Sequence, residues 1–159
     1  IDVASKSVVA NVLVDSRPRV ATWQPDGKRV WVSSEVGGTV AVIDAASHKI
    51  VKKIAFDVTG LTTDRVQPVD IAITRDGKTA FVALGPANRV AAIDTGTFAV
   101  KKYLLVGRRV WNLAFSPDGT RLYSTNGVSN DISVIDVADL KVVKSVPVGR
   151  LPWGVAAAP

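Results

Sequence analysis

An all-β chain made of repeated four-stranded units is what this sequence predicts, because three markers recur along it in one register. The dipeptide Ile-Asp stands at Ile1-Asp2, Ile43-Asp44, Ile93-Asp94 and Ile135-Asp136, at spacings of 42, 50 and 42 residues. A turn signal keeps the same phase at Pro25-Asp26-Gly27, Arg75-Asp76-Gly77 and Pro117-Asp118-Gly119. A third column runs Pro18, Pro68, Val110, Pro152, and Pro159 falls where the next turn signal is due.

Each unit holds four short apolar runs separated by turn residues. In the first unit residues 19–23 precede the Pro-Asp-Gly turn and residues 29–33 follow it. Residues 39–43 come after Glu35-Val36-Gly37-Gly38, and residues 49–55 after Asp44-Ala45-Ala46-Ser47. These runs, strands A to D, are rich in β-branched and aromatic residues and bounded by Gly, Pro, Asp and Asn. Val30-Trp31-Val32 and Val40-Ala41-Val42-Ile43 are continuously apolar, as strands covered on both faces are. Lys52, Lys53, Lys101, Lys102 and Lys144 all fall on strand D, where lysine guards an exposed sheet edge. That places D outermost and A innermost. Four strands in about 40–45 residues match the blade of a β-propeller, in which radially stacked antiparallel sheets cover one another. Complete blades are expected at 19–55, 69–105 and 111–147. Residues 1–14 and 153–159 are expected in partial blades at the two ends, so this chain does not close the ring. It contains no methionine and is expected to be a piece of a longer protein, or else one of several associating copies.

Composition excludes several classes of function. With 47% hydrophobic and 21% charged residues the chain reads as globular rather than disordered, and no apolar run is long enough for a helical membrane span. It has no cysteine, which removes disulfides, thiolate metal sites and covalent haem. The repeated aspartates sit in turns: one in every blade is what structure requires, whereas catalysis requires one special carboxylate. His48, the only histidine, lies in a C–D turn without a second metal-ligating partner, so neither a metal nor a cofactor is expected. Ser33, Ser116 and Ser124 have no histidine partner in any repeat, and Gly37-Gly38 reads as a hairpin turn rather than a phosphate loop.

The basic residues sort by position. Of ten arginines, seven lie in or beside the D–A and B–C connections, which share one face of a propeller: Arg17, Arg19, Arg65, Arg89, Arg108, Arg109 and Arg150. None of the ten lysines does. Trp111 and Trp153 begin strand A on the same side. Arginine beside aromatic residues suits recognition of carboxylate, phosphate or an acidic protein surface. Arg17, Arg65, Arg108, Arg109, Arg150, Trp111 and Trp153 are therefore the candidate binding residues. Two plainer roles remain open: the arginines pairing with Asp15, Glu35, Asp57, Asp64 and Asp131, and the tryptophans packing between blades. The second repeat is eight residues longer than the others, the excess lying within residues 57–67, and an insertion in one loop of a rigid scaffold is either functional or simply tolerated.

Leu122-Tyr123-Ser124-Thr125-Asn126, following Pro117-Asp118-Gly119, resembles the strand that names the YVTN β-propeller family. The Pro-Asp-Gly turn and the Val-Ile-Asp end of strand C belong to the same pattern, and the likeness covers essentially the whole chain. A narrower resemblance rests on residues 66–71, 81–90, 106–111 and 148–155. These look like the β-propeller proteins associated with pyrroloquinoline-quinone-dependent catabolism. That resemblance implies a periplasmic or otherwise exported bacterial protein, accessory to quinoprotein alcohol oxidation, with a quinoprotein dehydrogenase or cytochrome as partner and no redox chemistry of its own.

The sequence thus leads to a non-catalytic scaffold that binds an acidic protein or a small anionic ligand. The alternatives are a propeller enzyme, such as a lactonase or a quinoprotein fragment, and a cell-surface adhesion or structural propeller. Nucleic-acid binding is not expected, because the basic residues are dispersed and carry no recognition motif.

Overall fold

The computed structural model describes residues 1–158 and holds twelve strands in three four-stranded antiparallel sheets. The first sheet runs β1 (Pro18–Trp23), β2 (Arg29–Ser34), β3 (Thr39–Asp44) and β4 (Ile50–Ala55). The second comprises β5 (Asp70–Ile73), β6 (Thr79–Ala83), β7 (Arg89–Asp94) and β8 (Val100–Leu105). The third comprises β9 (Val110–Phe115), β10 (Arg121–Asn126), β11 (Asp131–Asp136) and β12 (Lys141–Pro147). Helical structure among the described residues is limited to two three-residue 3-10 turns, Thr63–Arg65 and Gly85–Ala87. Three consecutive meanders, each packed on the next, form part of an open β-propeller.

The first strands of the sheets, β1, β5 and β9, lie against one another and form the inner wall. A polar link repeats along this wall. The Asp70 Oδ2 atom accepts from the Leu113 amide at 2.8 Å, and the Asn112 Oδ1 atom accepts from the Val155 amide at 2.9 Å, one repeat further on. The last strands, β4, β8 and β12, are outermost and expose Lys52, Lys53, Lys101, Lys102 and Lys144 to solvent.

Two apolar clusters fill the spaces between sheets. Trp31, Val40 and Val42 of the first blade meet Ile71, Ala80, Val82 and Ile93 of the second, and Phe81, Val90 and Ala92 meet Leu113, Leu122 and Ile135 of the third. This two-sided burial explains why β3 and β7 are apolar without alternation.

The repeated aspartates cap turns. In the A–B turns the Lys28, Lys78 and Thr120 amides donate to Asp26, Asp76 and Asp118, each followed by a left-handed glycine. In the C–D turns Ser47, Thr97 and Asp139 donate to Asp44, Asp94 and Asp136. The same turn forms at the N-terminus, where the Ser5 amide donates to Asp2, while residues 8–14 pair with no strand among the described residues. At the other end, residues 152–158 carry no strand. They are tied to the third blade by Val155 and by the Trp153 carbonyl, which accepts from the Thr125 hydroxyl. The turn signal expected at Pro159 lies outside the described residues.

These caps tie stability to pH. Hydrogen bonds from the Ser116 hydroxyl and from Thr120 lower the Asp118 pKa to about 2. A depressed carboxylate stabilises the fold above its unfolded value, and that contribution disappears as pH falls through the folded one. Asp118→Ala is therefore expected to lower the thermal midpoint at pH 7, with the gap to the parent protein closing between about pH 4 and 2. Melts across that interval check it.

Candidate functional site

The inner wall and the D–A and B–C loops above it gather the chain's unusual residues. Glu35 follows β2 directly. Its repeat equivalents are Gly85 and Gly127, and its amide donates to the Arg17 carbonyl just as the Gly127 amide donates to that of Arg109. The backbone is thus repeated while the carboxylate occurs once. Glu35 is only 3% exposed, with Arg17 Nε at 3.2 Å, Arg19 Nη1 at 3.4 Å and Arg109 Nη2 at 3.3 Å.

Local structure sets these arginines. Arg17 and Arg109 both precede strand A in a left-handed conformation, at φ 59° and 58°, and Leu151 at the equivalent position has φ 51°. The conformation therefore recurs in the D–A loops, except at Gln67, where the insertion enters. The Asn88 Oδ1 atom accepts from the Arg109 amide at 2.8 Å and fixes that loop. The Arg109 side chain donates to the Gln67 Oε1 atom at 3.1 Å and lies over the Trp111 ring at 4.2 Å. Arg19 sits 5.7 Å and 5.6 Å from the ring centres of Trp111 and Trp153, which stack at 4.3 Å. Gly127 makes room for that stack, since a Cβ there would come within 2.7 Å of the Trp111 indole nitrogen.

Beside this cluster an inner cleft of about 530 Å³ is lined by Arg19, Asp70, Trp111, Asn112 and Trp153, among others. Asp70 is half-buried. Its Oδ2 accepts from Asn112 Nδ2 at 2.6 Å and its Oδ1 from the Ile71 amide at 2.8 Å. Burial raises the Asp70 pKa, opposed by the hydrogen bonds from Leu113, Ile71 and Asn112. The carboxyl group is thus nearer to holding a proton than a surface aspartate is.

Of the residues the sequence singled out, Arg17, Arg109, Trp111 and Trp153 lie together here. Arg65 and Arg108 are exposed and line a smaller groove of about 210 Å³ with Arg109, Asn88 and Pro86. Arg150 is exposed and belongs to neither group. The insertion contributes directly: Val58 and Val66 are buried as its anchors, and its last residue, Gln67, holds Arg109. Sequence reasoning missed Asp70. The available signal was a break in the repeat, because its column reads Val20, Asp70, Asn112, Gly154 and so carries one carboxylate. Glu35 stood there as an ion-pairing candidate but not as a buried organiser of three arginines. No group of acidic and histidine side chains suited to a metal ion occurs among the described residues.

Antiparallel four-stranded sheets packed side by side, with their first strands on the inner wall, define part of a β-propeller. The chain belongs to the seven-bladed β-propeller lactonase family, whose model matches residues 5–144. Among solved structures it is similar to hydrazine synthase of Kuenenia stuttgartiensis, with 27% identity and a TM-score of 0.78, covering 92% of this chain and 40% of that one. It also resembles a putative 6-phosphogluconolactonase of Bacteroides fragilis, at 24% identity and a TM-score of 0.73, covering 86% of this chain and 40% of the other. A protein of unknown function from Desulfotomaculum acetoxidans shares the fold at 18% identity and a TM-score of 0.76, over 93% of this chain and 48% of that one. No curated protein sequence matches the chain. The chain spans about two fifths of the length of the first of these structures.

The expectation of a non-catalytic scaffold is overturned: membership of the lactonase family points to an enzyme-type propeller. Hydrolysis of an acyl group needs no histidine dyad, triad or metal: water can attack an acyl carbon with one carboxylate base and a cationic donor. Both groups line the inner cleft.

Proposed function

We propose that this chain forms part of a propeller lactonase, a hydrolase that opens a lactone ring with water in the inner cleft. The observation that carries this reading is Asp70, the one carboxylate lining a cleft that Arg19, Trp111 and Trp153 also line, half-buried, in a chain of the lactonase family. Asp70 takes a proton from water as the water oxygen bonds to the acyl carbon, and Arg19 stabilises the negative charge that develops on the carbonyl oxygen. The bond from the acyl carbon to the ring oxygen then breaks, and the ring oxygen leaves as a hydroxyl with the proton held by Asp70. The product is a hydroxy acid, and no oxidant or reductant takes part. The stacked indoles offer the ring an apolar wall.

The test uses the full-length protein with a panel of five- and six-membered lactones, acid release being followed at constant pH. Turnover of at least one lactone well above its spontaneous rate is expected. A folded protein that leaves the whole panel at the spontaneous rate ends this reading. The narrower resemblance to propellers of pyrroloquinoline-quinone-dependent catabolism would add an exported location, which fractionation of the native host tests separately.

A further inference from the structure

We infer that Arg17, Arg19 and Arg109, gathered around buried Glu35, form a clamp for one oxyanion, a phosphate or carboxylate group of a ligand. Three observations on this cluster converge. The first is charge: three guanidiniums surround one carboxylate, which leaves a net +2 in a region where Arg19 and Arg109 are each only 25% exposed. Neutralising Glu35 alone would not require a third arginine.

The second is direction. The Glu35 Oε2 atom is buried with no hydrogen bond, although Arg17 and Arg19 nitrogens lie within 3.4 Å of it. Distance and alignment disagree here, and alignment is the informative quantity, because a hydrogen bond weakens steeply when the donor points elsewhere. The Arg17 and Arg19 nitrogens near that oxygen are close enough to neutralise it but make no aligned hydrogen bond to it. Each guanidinium has more donors than these contacts use, in a planar fork that matches carboxylate and phosphate oxygens.

The third is rigidity. Arg109 is fixed by Gln67, by Glu35 and by the face of Trp111, and Arg19 lies against both indoles. A donor set already held in place loses little freedom when it binds. Burial, together with the neighbouring charges of Arg19 and Arg17, lowers the Arg109 pKa while Glu35 opposes the shift, and a bound anion would relieve that repulsion. The cluster shares Arg19, Trp111 and Trp153 with the inner cleft, so the anionic group of a substrate held there would sit beside the reacting ring. That last placement rests on the lactonase reading. Oxyanion binding by itself does not.

Calorimetric titration of the full-length protein with inorganic phosphate and, separately, with acetate tests the clamp. Saturable binding of at least one of them is expected, and the preferred probe tells phosphate from carboxylate. Arg109→Met and Arg17→Met should each weaken it by about tenfold or more, the range of a lost charge-assisted hydrogen bond. Arg17 is 60% exposed, so its variant keeps a folded protein in the comparison even if Arg109→Met unfolds. Arg150→Met should bind as the parent does. The clamp is refuted if neither anion binds, if Arg17→Met binds unchanged, or if Arg150→Met weakens binding equally, which would mark diffuse attraction. Turnover of a neutral lactone is measured in parallel. Anion binding without turnover upholds the clamp and removes the lactonase reading; turnover without anion binding does the reverse.

Discussion

Asp70→Asn is expected to lower lactone turnover by about 10²- to 10⁴-fold, the usual worth of a general base, while the protein stays folded. The structure supplies its own control. Asn112 occupies the equivalent position one blade on, and its carboxamide oxygen accepts from the Val155 amide as Asp70 accepts from that of Leu113. An asparagine at residue 70 can therefore keep the inter-blade bond from Leu113, while it gives up the bond from the Ile71 amide and the ability to take a proton. If Asp70 is solely a latch between blades, the variant should turn over lactone at the parental rate, and that result would remove Asp70 from the chemistry.

A second readout of the same variant has a fixed sign. Burial raises the folded-state pKa of Asp70 above the ordinary aspartate value, so the folded protein holds this proton more tightly than the unfolded chain does. Between the two values stability falls as pH rises, and above the folded value the ionised group is a standing cost. Asp70→Asn should then gain on the parent protein in thermal midpoint as pH rises towards neutrality. The gain should fade as pH approaches the unfolded carboxylate value, near 4. Parental turnover should rise with pH through the raised pKa, since only the ionised carboxylate can act as base. A buried group that weakens the fold while serving chemistry is a familiar compromise in enzymes.

The contrast between Asp70 and the turn aspartates shows what was legible in the sequence. Repetition revealed the fold, because every blade must solve the same turn: Asp26, Asp76 and Asp118 recur at one position and cap one kind of loop. Sheet order was legible from the lysines on β4, β8 and β12. The site was only partly legible, since it is made where the repeat is broken. Glu35 replaces glycine, Asp70 replaces an apolar or amide residue, and Gln67 arrives on an insertion. Arg17 and Arg109 were visible as loop arginines, but their meeting at Glu35 joins the first and third blades and is three-dimensional. Arg150 shares their loop face by sequence yet stands apart from the cluster in the fold.

The packing between blades makes the other large prediction: Trp31→Ala should cost about 3–5 kcal/mol of stability. Trp31 is fully buried on β2, its indole nitrogen donates to the Gln24 side chain at 3.4 Å, and its ring lies 5.9 Å from Phe98 of the next blade. Phe98 reaches it from a C–D turn in the left-handed conformation, at φ 61°, and Leu140 takes the same turn position, at φ 48°, in the cluster that buries Phe81. The C–D turns of the second and third blades thus each pack a side chain into the apolar cluster shared with the preceding blade. A truncated Trp31 would leave a cavity between two rigid sheets, which have little freedom to close it. Phe98→Ala should cost less, because its ring is only partly buried. The double variant should fall short of the sum of the single costs, because either truncation alone removes the ring contact, which is worth about 0.5–1.5 kcal/mol. Urea unfolding of the four proteins of this cycle measures both quantities. Strict additivity would mean that Trp31 is held by its own blade, and that the contact from the C–D turn contributes nothing to joining the first blade to the second.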